Sequence, residues 1–273
     1  MTGADARVAF VTGGAGGLGI AIAEALCADG TSVVVADLRR EASEAVAGRL
    51  EEASGVPCVG VELDVTDPAS VARTIDEIAE RFGVLHALVN SAGIQIQRPF
   101  ADLDAADWDR VLAINARGPF LLVQAALRRL WRDQADEASV VNVVSRAYVG
   151  GAKDAAYSAS KGALASLTLE MALELGPVGV RANGVSPSFV RTAFAEQRTD
   201  IAELDAFVGR YEAITPLRRL VTGPDVAQTV AFLASERSRG ITGVRSVASR
   251  VGRGGTLSQI IHVTAGSHLP AQP

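Results

Sequence analysis

The 273 residues have an ordinary globular composition, 48% apolar and 21% charged, which suffices for one large core in a single α/β unit. A formal charge of −5 and a pI near 5.3 argue against nucleic acid or an anionic membrane surface as partner, and no basic stretch interleaved with aromatics supplies a nucleic-acid groove. Two cysteines, Cys27 and Cys58, and three scattered histidines, His86, His262 and His268, lack metal-ligand spacing, so no metal site is expected.

The first apolar run, residues 7–12, does not alternate and reads as a buried strand. A glycine-rich turn carries it into a helix over 17–28. Strand 32–36 precedes helix 41–52, and strand 58–63 precedes helix 68–82, where Val71, Ile75, Ile78 and Phe82 recur at helical spacing. Strand 87–89 leads into one long helix over 105–131, and strand 139–144 into a helix over 155–175. Strand 181–185, helix 224–234 and strand 260–263 complete the series. Strands without alternation, joined through helices, require a parallel sheet covered on both faces. Right-handed crossovers then give a doubly wound Rossmann fold with a parallel seven-stranded sheet. No composition shift marks a boundary, so 1–273 is expected to be one domain.

Two stretches interrupt the regularity. Residues 188–216, with Phe189, Phe194, Phe207 and Tyr211, are placed as a substrate lid; those aromatics either dress an apolar pocket or pack the lid onto the body. Residues 244–258 carry Arg245, Arg250 and Arg253 and no acid, and read as an insertion, either a surface loop or a subunit contact. A different alignment makes 244–251 the strand and 252–255 the turn after it. No apolar run reaches the ~20 residues of a membrane span, and the N-terminus enters a strand without a leader pattern. With both cysteines read as reduced, the expected location is the cytoplasm.

Thr12-Gly13-Gly14-Ala15-Gly16-Gly17-Leu18-Gly19 lies between the first strand and the first helix. Glycines there let the backbone approach a pyrophosphate, and the helix offers unpaired N–H groups and its positive dipole end. Asp37 follows the second strand at about the ~20-residue offset of an acid that accepts hydrogen bonds from the adenosine ribose and repels a 2′-phosphate. NAD is therefore preferred to NADP. The competing reading makes Asp37 a helix cap, with Arg39 or Arg40 greeting the phosphate.

The remaining motifs resemble the short-chain dehydrogenase/reductase family over nearly the whole chain up to Gly243. Thr12-Gly13-x-x-x-Gly17-Leu18-Gly19 resembles its cofactor loop, with Asp37 and Leu38 after the second strand. Asp64-Val65 resembles the pair that contacts adenine. Asn90-Ser91-Ala92-Gly93 resembles its Asn-Asn-Ala-Gly motif, departing at Ser91. Asn183-x-x-x-Pro187 resembles the segment beside the nicotinamide, with Ser188 in place of a glycine and Val190 and Thr192 following as cofactor contacts.

Asn115, Ser145 and Tyr157-x-x-x-Lys161 match the family's catalytic set. The resemblance implies that Tyr157 is the acid/base, that Lys161 also holds the nicotinamide ribose, and that Asn115 holds a water linking Lys161 to solvent. Residues four apart share a helix face, so the Lys161 ammonium is expected to favour the Tyr157 phenolate and lower a pKa ordinarily about 10. Ser145 would donate to the substrate oxygen. The implied activity is hydride transfer between NAD and a secondary alcohol or ketone, a small-molecule substrate whose identity stays open.

Arg146, Tyr148 and Lys153 lie between Ser145 and Tyr157, and the two basic groups suit either a carboxylate-bearing substrate or solvated surface. The family's dimers and tetramers imply a homo-oligomer built through the long helices. Two other readings stand beside this one: an NADPH-dependent 3-ketoacyl-type reductase, and a non-catalytic dinucleotide-binding protein.

Overall fold

The computed structural model describes residues 7–132, 138–150, 154–191, 201–243 and 261–263. Its sheet has seven parallel strands in the order β3-β2-β1-β4-β5-β6-β7. These are β1 (Val8–Thr12), β2 (Ser32–Asp37), β3 (Cys58–Glu62), β4 (Ala87–Asn90), β5 (Ser139–Val143), β6 (Arg181–Pro187) and β7 (Ile261–Val263). β1 pairs with β2 in the register Val8↔Ser32 and with β4 in the register Ala9↔Ala87. From β1 the chain winds outward to β3 and then returns to β4 on the other side. That reversal opens a crevice at the carboxyl ends of β1 and β4, where open α/β sheets take their ligands.

All five residues of β1 are buried because both faces of the sheet are covered. Ala9 and Val11 join a core with Ile22 and Leu26 of α1 (Gly17–Ala28), Val46 and Leu50 of α2 (Arg40–Ser54), and Val226, Val230 and Leu233 of α8 (Gly223–Ala234). Val8 and Phe10 point the other way. They meet Val71, Ile75 and Ile78 of α3 (Pro68–Phe82), Leu122 and Val123 of α5 (Gly118–Arg129), and Met171 and Leu175 of α6 (Ala155–Leu175). A fully buried side chain such as Phe10 contributes about 1.5–3 kcal/mol relative to exposure.

Local chemistry sets the helix ends. Asp67 accepts from Ala69 N–H (2.9 Å) and Ser70 N–H (3.1 Å), Pro68 occupies the first turn, and Gly83 closes α3 at φ 70°.

The predicted single helix over 105–131 is instead broken. α4 (Ala105–Leu112) passes through a π-helical turn (Ala113–Arg117) before α5 begins. Pro119 has no N–H to give the Asn115 carbonyl four residues back, and its ring crowds that carbonyl, so the helix widens there. The stretch 188–216 holds the helix α7 (Ile201–Ile214), and Val190 makes a parallel bridge to Val221. Lys153, Thr192, Phe194 and 244–258 lie outside the described residues. Among the described residues no helix is long and apolar enough to cross a membrane.

Candidate active site

The glycine loop is fixed by contacts that leave no room for side chains. Gly13 sits at φ +63°, and a Cβ on it would lie 2.8 Å from Ala92 Cα; one on Gly14 would lie 2.8 Å from Val35 Cγ1. At Gly19 a Cβ would run into the Gly13 carbonyl oxygen. The loop is therefore pressed between β2, the turn after β4 and its own helix. The N-cap of α1 is Gly16, which brings no side-chain cap, and the first turn carries no acid. Its N–H groups and dipole end are thus available to an anion.

Asp37, at the end of β2, accepts from Ala15 N–H through Oδ2 (3.2 Å) and from Leu38 N–H through Oδ1 (2.9 Å). It braces the loop and does not cap α2, whose N-cap is Arg39 without a side-chain bond. Leu38 is 65% exposed beside it. Thr12 Oγ1 accepts from Ser91 N–H and Ala92 N–H, both at 3.2 Å, and so shapes the turn after β4. Asn90 turns into the sheet, donating to Asn142 Oδ1 at 2.8 Å, while its own Oδ1 has no partner among the described residues. Asp64 Oδ1 is taken by the Thr66 N–H and hydroxyl (2.8 and 2.7 Å), and Val65 packs under Gly118.

Gly93 joins this region to the predicted catalytic set: a Cβ on it would sit 3.3 Å from Asn115 Oδ1 and 3.6 Å from Lys161 Nζ. Asn115 is fully buried in the π turn. Its Oδ1 accepts from Ile94 N–H (2.9 Å), and its Nδ2 donates to Ile94 O (2.8 Å) and Ser160 Oγ (3.0 Å). Both side-chain ends are thus engaged with protein, so a water held by Asn115 falls to its main-chain carbonyl.

Lys161, 4% exposed, donates to Val143 O at 2.8 Å and stands 5.7 Å from the Tyr157 ring centroid. Burial lowers its pKa to about 8. Ser145 Oγ accepts from Ala147 N–H at 3.2 Å, and its hydroxyl lies close enough to the Tyr157 phenol to favour the phenolate. The expected acidification of Tyr157 is not what the structure shows. Burial raises its pKa, the Ser145 hydroxyl pulls the other way, and the charge of Asp154 raises it further.

At the end of β6, Pro187 is buried, and Ser186 Oγ and Ser188 Oγ are buried without hydrogen-bond partners among the described residues. Phe189 meets Phe207 edge-on (5.0 Å between centroids), and Phe207 meets Tyr211 at 5.7 Å, so these aromatics pack on one another. Sequence reasoning missed Ser186 and Ser160. It also missed Asp154, whose place three residues before Tyr157 carries an N-cap signal. Among the described residues no group of three or more metal-ligating side chains comes together.

A family model described as enoyl-(acyl carrier protein) reductase matches residues 13–249. A 3-alpha-(or 20-beta)-hydroxysteroid dehydrogenase of Mycobacterium tuberculosis is 35% identical over 98% of this chain and 96% of its own length. A D-threitol dehydrogenase of Mycolicibacterium smegmatis is 37% identical over 88% of this chain and 90% of its own. Among solved structures, a short-chain dehydrogenase/reductase described as a glucose/ribitol dehydrogenase from Brucella melitensis superposes with a TM-score of 0.81. It is 33% identical and covers 96% of this chain and 97% of its own.

Proposed function

The chain belongs to the short-chain dehydrogenase/reductase family, and on that premise we propose that it moves a hydride between NAD and a secondary alcohol or ketone. The observation that carries the reading is the gathering of Ser145, Tyr157 and Lys161 with Asn115 behind Gly93, at the carboxyl edge of the sheet. The residues present suit a nicotinamide dinucleotide. Gly13, Gly17, Leu18 and Gly19 open α1 without a competing cap, and a Cβ at Gly13 or Gly19 would collide with the backbone that shapes the loop. Asp37 and Leu38 would meet the adenosine ribose, and Asp64 and Val65 the adenine. Asn90, Ala92 and Gly93 would line the turn beneath. Pro187, Val190 and Thr192, with the unpartnered Ser186 and Ser188 hydroxyls, would face the nicotinamide end. When bound, the nicotinamide takes or gives the hydride.

The chain itself handles the proton. Tyr157 Oη takes the proton of the substrate hydroxyl during oxidation and returns it to the alkoxide-like oxygen during reduction. Ser145 Oγ donates to that same oxygen and stabilises its charge. Below about pH 8, where Lys161 keeps its proton, the ammonium favours transfer of the substrate proton through the phenolate, and the Asn115 carbonyl takes a water that connects Lys161 to solvent. Asp37, with both oxygens already bonded at the end of β2, would set a carboxylate against the 2′-phosphate of NADP.

Calorimetric titration with NADH and NADPH, followed by a panel of secondary alcohols, tests this. Tighter NADH binding and NADH formation from an alcohol are expected; preference for NADPH would favour the rival reading, an NADPH-dependent 3-ketoacyl-type reductase. The helices α5 and α6 expose Phe120 (43%) and Leu173 (64%), which suits assembly into a homodimer or homotetramer, checked by light scattering. The cytoplasm, where Cys27 and Cys58 would stay reduced, is the proposed place of work.

A further inference from the structure

The chain has two cysteines, and the fold brings them together. Cys27 is the penultimate residue of α1, and Cys58 is the first residue of β3. Their Sγ atoms stand 3.5 Å apart, in contact but unbonded. Both are buried, in the core that also holds Val33, Val46, Ala47 and Leu50. As core filler a cysteine is a small apolar residue, a task that needs no second sulfur beside it. Two facing sulfurs are what a disulfide needs, and reaching its length of about 2.05 Å takes an approach of about 1.5 Å shared between two side chains.

The pair lies away from the dinucleotide cradle. Cys58 pairs with Val33 at the amino end of β2, whereas Asp37 pairs with Glu62 at the other end. α1 separates Cys27 from the glycine loop by about 18 Å, at 1.5 Å of rise per residue. Cys58 Sγ donates to the Val56 carbonyl at 3.4 Å, and Ser54, Gly55 and Pro57 around that contact are exposed. A small oxidant therefore has a short way in, through the last turn of α2.

We propose that Cys27 and Cys58 form a reversible redox site, which hydrogen peroxide closes into a disulfide between α1 and β3 and which thiol reductants reopen. Cys58 is the attacking sulfur. The Cys27 thiol donating to it holds the Cys58 thiol below its ordinary range despite burial, while the same bond and burial push Cys27 up. Cys58 Sγ, having given up its proton, attacks the O–O bond and keeps one oxygen as sulfenic acid. The other oxygen leaves as hydroxide and takes up that proton. Cys27 Sγ then attacks the same sulfur, the S–O bond breaks, and water leaves with the Cys27 proton. Two thiols lose two electrons and two protons, and one peroxide becomes two waters.

The bond would close residues 28–57, with β2, α2 and Asp37, into a loop, and would restrict the unfolded chain. With no third cysteine, closure within the chain has one outcome. In a reducing compartment the open form is the resting one, and closure is a transient response to oxidant.

The test treats the purified protein with a small excess of hydrogen peroxide and then with dithiothreitol. Non-reducing peptide mapping reads the cysteines, and calorimetry reads the thermal midpoint. A peptide joined through Cys27 and Cys58 is expected, with both thiols lost and the midpoint raised by about 5–10 °C. Dithiothreitol should reverse all three changes. Cys58→Ala should give neither joined peptide nor rise, with Cys27→Ala as the second variant should the first not fold. Thiols that stay free, a sulfinic acid without a joined peptide, a disulfide between two chains, or a joined peptide without a higher midpoint would each overturn the proposal. No cofactor or substrate enters the measurement, so its outcome is independent of the hydride-transfer reading.

Discussion

The two halves of the sheet hold their sites by opposite means. Around β1 and β2 the site is made of backbone and of missing side chains, with Gly13, Gly14 and Gly19 each closed against a neighbour and Asp37 bracing the loop through main-chain N–H groups. Across β4, β5 and α6 it is made of buried polar side chains. Asn90 donates to Asn142, Asn142 donates to Thr168, Asn115 is tied to Ile94 and Ser160, and Lys161 is fastened to the Val143 carbonyl. The first half has no room for an added atom. The second accepts a change of shape but not the loss of a partner, because each buried polar group left unpaired costs about 1–3 kcal/mol. Binding should therefore fail in one half by steric intrusion, and chemistry and pH response should fail in the other by unpairing or discharge.

The strongest way to break that contrast is Gly19→Ala. Its methyl group would enter the Gly13 carbonyl, so dinucleotide binding measured by calorimetry should be lost, together with about 1–3 kcal/mol of stability. Binding equal to the unaltered protein would show that the loop is not the closed cradle described.

Lys161→Met probes the other half through pH. The folded protein releases the Lys161 proton near 8 while the unfolded chain holds it to the ordinary 10.5. Between those values the unfolded state binds more protons, so the stability of the unaltered protein should rise with pH relative to Lys161→Met, by about 1.4 kcal/mol per pH unit. Denaturant melts taken below pH 8 and again near 10.5 read this directly, and parallel curves for the two proteins would contradict it.

Asn115→Ala removes the partners of the Ile94 N–H, the Ile94 carbonyl and the Ser160 hydroxyl, and should lower stability by about 1–3 kcal/mol without abolishing dinucleotide binding. The smallest effect calibrates the others outside both regions. Thr222→Ala breaks the capping box with Asp225 at the start of α8 and should cost about 1 kcal/mol in the same melts, with dinucleotide affinity unchanged.

The glycine half was the more legible in the sequence, because a tight turn between strand and helix announces itself in residue type. The strands β1 and β2 were visible for a related reason, since burial on both faces leaves unbroken apolar runs such as Val33-Val34-Val35. The catalytic half was legible as spacing but not as environment. Tyr157 and Lys161 share a helix face as expected, yet a spacing of four says nothing of how deeply the phenol is buried, and burial reversed the direction of its pKa. The partners of Asn115 lie 21 and 45 residues away, a distance no local pattern spans. The break in the long helix had a signal, Pro119, which the apolar periodicity on either side obscured. The cysteines, read as reduced thiols, prove to be neighbours, with Sγ atoms 3.5 Å apart between α1 and β3.

The whole account turns on a phenol that carries the proton while the cradle carries the dinucleotide, and replacing Tyr157 with Phe separates the two in one protein. Turnover of an alcohol that the unaltered enzyme oxidises should fall by about 10²–10⁴-fold, with NADH affinity by calorimetry nearly the same. Oxidation of that alcohol by Tyr157→Phe at the unaltered rate would contradict the assignment of the proton to this residue.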